Sequence, residues 1–170
     1  MILNNAINAG NFIYCMAHFS PNESNTYHNQ GNGHFHQYLY IVDGQGIVEN
    51  RETADGPAIR REEGNGVGML VDLTSTRGLF HTTITNENSL TVILFNPIPD
   101  TRILDVEIIT GPITKIVTAT DKRVTVVCIT GPITANDKLL ASLQHAKIFS
   151  GKTAELNLPE NTVCALVSDK

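Results

Sequence analysis

Three of the six histidines, His28, His34 and His36, fall within nine residues of one another. In an extended segment His34 and His36, two residues apart, project to the same side. Two imidazoles so placed can share one metal ion. A third ligand has to come from another strand, and His81 is the candidate donor. Three neutral imidazoles with open coordination positions suit Fe, Mn, Ni, Cu or Zn as a divalent ion. His28 lies in an Asn-rich loop, where it can act as an acid/base, serve as a third ligand, or be an inert loop residue. Tyr14, Tyr38 and Tyr40 can line a pocket with their hydroxyls as donors, or pack on sheet faces with wet hydroxyls. His18 and His145 read as solvated residues at element ends. Asp72, Ser75 and His81 lack the G-x-S-x-G elbow of a nucleophilic triad. The pair Glu62-Glu63 reads as a solvated face.

The elements that must position these residues are strands. Apolar residues recur with period two or in short runs, and no 3.6-residue period dominates. Strands are expected over 11–19 and 34–42, with 20–33 as a long polar loop. The segment Asp43-Gly44-Gln45-Gly46 reads as a turn from which 47–52 returns, making a hairpin. Further strands are expected over 69–73, 78–85 and 90–95, where Pro97 and Pro99 end the run. Gly64-Asn65-Gly66-Val67-Gly68 is glycine-rich, but a strand follows it and not the helix a phosphate loop requires. The second half adds strands over 103–109, 116–120, 124–129, 146–149, 153–158 and 162–167. The hexapeptide Ile-Thr-Gly-Pro-Ile-Thr occurs at 109–114 and again at 129–134. Both copies read as strand-end turns with Gly-Pro punctuation. One short helix is expected over 137–144, capped by Asn136. The result is an all-β protein, a sandwich or barrel, divided into 1–96 and 97–170.

This pattern resembles the cupins, which are small double-stranded β-helix barrels. Their first motif is G-x5-H-x-H-x3,4-E-x6-G. Here His34-Phe35-His36 supplies H-x-H, and Gln37 with Gly44 supplies the E-x6-G spacing with Gln in place of Glu. Their second motif is G-x5-P-x-G-x2-H-x3-N. Here Gly78-Leu79-Phe80-His81 supplies G-x2-H, Thr76 stands at the Pro position, and Asn86 falls one residue late. The residues that separate H-x-H from the acidic position in the motif are missing. The resemblance covers roughly residues 28–97. It implies cupin barrels, two fused units, the first bearing the histidines and the second without a metal motif. It implies a divalent transition metal on His34, His36 and His81. Gln37, Tyr40 and His28 then take catalytic roles, and Tyr38, Tyr14 and Arg77 contact a small polar ligand. Oxygenase, isomerase or lyase chemistry would follow. A non-catalytic, metal-free binding or assembly protein is the other reading.

Composition narrows the partners. Charged residues make up 17% of the 170-residue chain and the formal charge is −5. An acidic chain without a Lys/Arg stripe is a poor nucleic-acid binder. No apolar run approaches the length of a membrane span. The N-terminus lacks the basic and apolar regions of a signal peptide, so a cytoplasmic location is expected. The three cysteines, Cys15, Cys128 and Cys164, read as small buried hydrophobes in a reducing compartment. The expected partners are a small-molecule ligand and a second copy of the chain in a dimer, with neither nucleic acid nor membrane. Polar character comes instead from 16 Asn and 18 Thr, the residues of turns and strands.

Overall fold

The structure is a computed structural model. It describes residues 2–23, 28–29, 37–51, 53, 55–65, 70–72, 80–85, 87–99 and 102–170; within these, residues 2–3, 28–29, 47–51, 58–65, 70–72 and 80–84 are described by backbone alone. The chain divides into two compact units, Met1–Arg102 and Ile103–Lys170. Among the described residues both are built from strands alone, and no helix is long and apolar enough to cross a membrane.

The first unit holds β1 (Ile2–Leu3), β2 (Ile7–Asn8), β3 (Phe12–Phe19), β4 (His28–Asn29), β5 (Tyr38–Arg51), β6 (Ala58–Asn65), β7 (Leu70–Asp72), β8 (Phe80–Ile84) and β9 (Leu90–Pro97). They join in the order β1-β3-β9-β5-β8-β4, with β2 on β3 and with β6 and β7 on β5. The strand β5 organises the unit. Its first part pairs with β9 and β7, and its second part pairs with β6 and β8. The expected hairpin at Asp43–Gly46 is therefore corrected, because the chain runs straight through it as one 14-residue strand. The register shifts between Ile41 and Asp43, and Gly44 adopts φ +88. A bulge followed by a left-handed glycine bends a strand without reversing it. The bend is also tight: a Cβ on Gly44 would lie 1.9 Å from the Ser89 carbonyl oxygen.

The polar stretch expected as a loop over 20–33 contains β4, and its start is pinned by buried Thr85. The Thr85 hydroxyl accepts from the Glu23 amide at 2.9 Å and lies 2.6 Å from the Ser20 carbonyl. The Thr85 amide donates to the Glu23 carbonyl at 2.8 Å. These bonds give the polar groups of a surface segment defined partners.

The second unit holds β10 (Leu104–Thr110), β11 (Ile113–Ala119), β12 (Val124–Thr130), β13 (Ile133–Ala135), β14 (Lys138–Leu140), β15 (His145–Ile148), β16 (Lys152–Leu158) and β17 (Val163–Asp169). Two four-stranded sheets form, in the orders β10-β17-β12-β15 and β11-β16-β13-β14. Alternation is plain in β16, where Ala154, Leu156 and Leu158 are buried and the residues between them are exposed. They meet Val126, Cys128, Ile133, Leu140 and Leu166 in one core. The repeated hexapeptide has one job at both sites. It carries the chain from the first sheet into the second, β10 to β11 and β12 to β13. Neither corner admits a Cβ on its glycine, which would lie 1.9 Å from the Pro159 oxygen at Gly111 and 2.4 Å from Cys128 Sγ at Gly131.

The expected helix over 137–144 is not formed. Asn136 and Asp137 have φ of 47 and 62, and they turn β13 directly into β14 with Ala135 opposite Lys138. Two left-handed residues in a two-residue loop make the hairpin turn that Asn and Asp tolerate best. A hairpin in that position pre-empts a helix cap at Asn136.

Candidate functional site

Gln37 enters β5 buried, and its amide nitrogen donates to Asn96 Oδ1 at 2.6 Å. Asn96 lies on β9, one step beyond the pairing of Tyr38 with Phe95. The same face continues through Leu39 and Ile41 of β5 into a cluster with Ala17, Phe19, Leu90 and Val92. A buried amide is tolerable here because it has a partner. Asn96 has no motif signal in the sequence. Only the β5–β9 register reveals it.

The tyrosines take the other parity of β5. Tyr38 pairs with Phe95, which pairs in turn with Tyr14 on β3. Tyr14, Phe12 and Phe95 form an aromatic cluster with ring centroids 6.0, 6.1 and 6.4 Å apart. Tyr40 pairs with Ile93 and is only 1% exposed. Its hydroxyl has no hydrogen-bond partner among the described residues, and burial pushes its pKa up. Gln37 and Tyr40 thus sit on opposite faces of one strand. Tyr14 and Tyr38 accompany Tyr40 and not Gln37.

Of the histidines, His28 and His81 are brought together by backbone pairing. They are direct cross-strand partners between β4 and β8, and His81 also pairs with Asn50 of β5. His34, His36 and Arg77 lie outside the described residues. Among the described residues no group of three or more His, Cys, Asp or Glu side chains is placed to hold a metal ion. His18 is exposed, with Nδ1 3.0 Å from the Thr91 hydroxyl.

All three cysteines are free thiols. Cys15 is half-buried, and burial raises its pKa. Cys128 and Cys164 are direct cross-strand partners in the second core, both fully buried and both free. Burial pushes them up to about 11 and about 12. They behave as small hydrophobes.

With strands, register and site in place, solved structures supply the class. The bacterial pirin YhhW of Escherichia coli, in complex with nickel(II), matches with a TM-score of 0.71 at 10% identity, over 98% of this chain and 98% of that one. An oxalate decarboxylase formate complex from Lactobacillus farciminis matches at 0.64 and 6% identity, over 94% of this chain and 76% of that one. The cupin 2 conserved barrel domain protein from Leptotrichia buccalis matches at 0.54 and 10% identity, over 99% and 88%. The chain therefore has the cupin fold. No protein-family model matches the sequence, and no curated protein matches it either.

The pirin of like fold is in complex with nickel(II), and the described residues bear on the fit of a metal in two ways. Where the motif spacing sets a carboxylate, Gln37 brings a neutral amide whose nitrogen is already committed to Asn96. The His28–His81 pairing, in contrast, sets two imidazole-bearing positions side by side. Among the described residues, then, a neutral amide stands where the motif spacing sets a carboxylate, and two histidine positions pair across β4 and β8.

Proposed function

We propose that the first unit binds a small polar molecule, with a divalent transition metal held by the imidazoles of His34, His36 and His81. The observation that carries this reading is the cross-strand pairing of His28 with His81, which sets a histidine of β4 beside the proposed third ligand. The nickel-bound pirin and the oxalate decarboxylase of like fold support it by analogy. A metal bound there would polarise a coordinated oxygen of the ligand. His28 would hold or release a proton beside it. Gln37, oriented by Asn96, would present its amide oxygen to that molecule, while Tyr40, on the other face of β5, would not contact it.

Calorimetric titration of chelator-treated protein with nickel tests the proposal. One ion per chain is expected, with affinity falling about tenfold or more in His81→Ala. Equal binding by wild type, His34→Ala and His81→Ala would overturn it. A second reading, metal-free binding of an organic molecule, is favoured by Gln37 at the carboxylate position. Thermal stabilisation by an organic ligand in the presence of EDTA would select that reading.

A further inference from the structure

The second unit carries a feature outside this reading. In its two sheets β10 and β11 are the edge strands on one side, and β14 and β15 are the edges on the other. On the β10/β11 side Lys115 forms an ion pair with Glu107. Along β14, β15 and the start of β16 lies a cleft of about 590 Å³ lined by Asn136, Lys138, His145, Lys147, Phe149 and Lys152, among others. That volume is within the range of small-molecule sites, roughly 300–1,000 Å³.

The charge of the cleft is one-sided. Residues 103–170 contain seven Lys+Arg and seven Asp+Glu. Three of those seven cations line this cleft and none of the seven acids does. Asp137 and Glu155 are sequence neighbours of lining residues but do not line it. The imidazole of His145 registers the local field, because burial and the ammoniums of Lys147 and Lys138 hold its pKa below the ordinary value. At the rim Phe149 is 63% exposed, a large apolar surface beside the lysines. Three like charges on three strands, with no acid lining the cleft, give it a positive potential that favours an anion.

We propose that this cleft binds a small multivalent oxyanion, held by Lys138, Lys147 and Lys152, with the apolar part of the molecule resting on Phe149. Ammonium groups recognise phosphoryl and carboxylate oxygens by charge-assisted hydrogen bonds. Both chemistries share the recognition, and the test separates them. The full chain is titrated calorimetrically with inorganic pyrophosphate and, separately, with tricarballylate, at low and at physiological salt. Saturable binding of one anion per chain is expected, weakened by salt. Preference for pyrophosphate assigns a phosphorylated ligand, and preference for tricarballylate assigns a polycarboxylate. Lys147→Ala should lower the affinity about tenfold, and Lys138→Glu with Lys152→Glu should remove it. Lys122→Ala, in the same unit but outside the cleft, should leave it unchanged. Lysines on edge strands also keep other chains from pairing there. If that were their whole role, neither anion would bind saturably, or Lys122→Ala would weaken binding as much as Lys147→Ala. Either result overturns the proposal. These lysines are exposed, so the variants fold, and amide chemical shifts confined to 136–153 give an independent readout of the bound anion.

Discussion

At the scale of single residues, buried Gln37 is closed on half-buried Asn96. Gln37 Nε2 donates to Asn96 Oδ1 beside an apolar cluster. Removing one partner leaves a buried polar group unpaired, which costs about 1–3 kcal/mol, while replacing both with apolar groups costs far less than the sum. Asn96→Leu is therefore expected to destabilise the protein by about that amount, and Gln37→Leu with Asn96→Leu to recover most of the loss. Urea unfolding of the two single variants and the double variant measures the coupling. Additive losses would show that the pair is not a unit. Gln37 was legible in the sequence through its spacing to Gly44. Asn96 was not, because a cross-strand partner 59 residues away leaves no local trace.

At the scale of elements, the bends decide the topology. The segment around Gly44 has the composition of a hairpin turn, yet β5 continues through it. The strands it meets on either side of the bend outweigh the local turn preference. The glycine is required twice over there, by its φ of +88 and by the Ser89 carbonyl. Gly151 makes a matched control, with φ +74 and nothing within 4 Å of an added Cβ. Gly151→Ala should cost about 1 kcal/mol from conformation alone. Gly44→Ala should cost clearly more, since backbone must also move. Chemical denaturation of the two variants gives the comparison, and equal losses would refute the steric account. The hexapeptide corners were readable as Gly-Pro turns. That they step between sheets was not, because sheet membership is set by distant pairing.

For the whole molecule, titration links the second core and its cleft to stability. His145 has a folded pKa below 6.5. The unfolded chain then takes up its proton first as pH falls, so this contribution is present above 6.5 and is lost below it. Cys128 and Cys164 are raised from 9.0 to about 11 and about 12. Their contribution is complete below 9.0 and is lost as pH rises above it, where the unfolded chain gives up the protons first. Stability is expected to be greatest between these limits. Urea midpoints at pH 5, 7.5 and 10 check it. The acid loss should shrink in His145→Gln, and the alkaline loss should shrink in Cys128→Ala with Cys164→Ala.

Local patterning by itself determined that this chain is a string of short strands. Period-two alternation, Thr and Val in the runs, and Asn, Gly and Pro at their ends are preferences that act within a few residues. The same patterning carried the two Gly-Pro corners and most of the second core. Tertiary structure alone decided which strands pair and in what register. It set His28 opposite His81, closed Gln37 on Asn96, ran β5 through its apparent turn, and made a hairpin of Asn136-Asp137 in place of a helix cap. It also gathered three scattered lysines around one cleft. Each of these depends on contacts between residues far apart in the chain, where one step of register changes every neighbour and the local pattern stays the same.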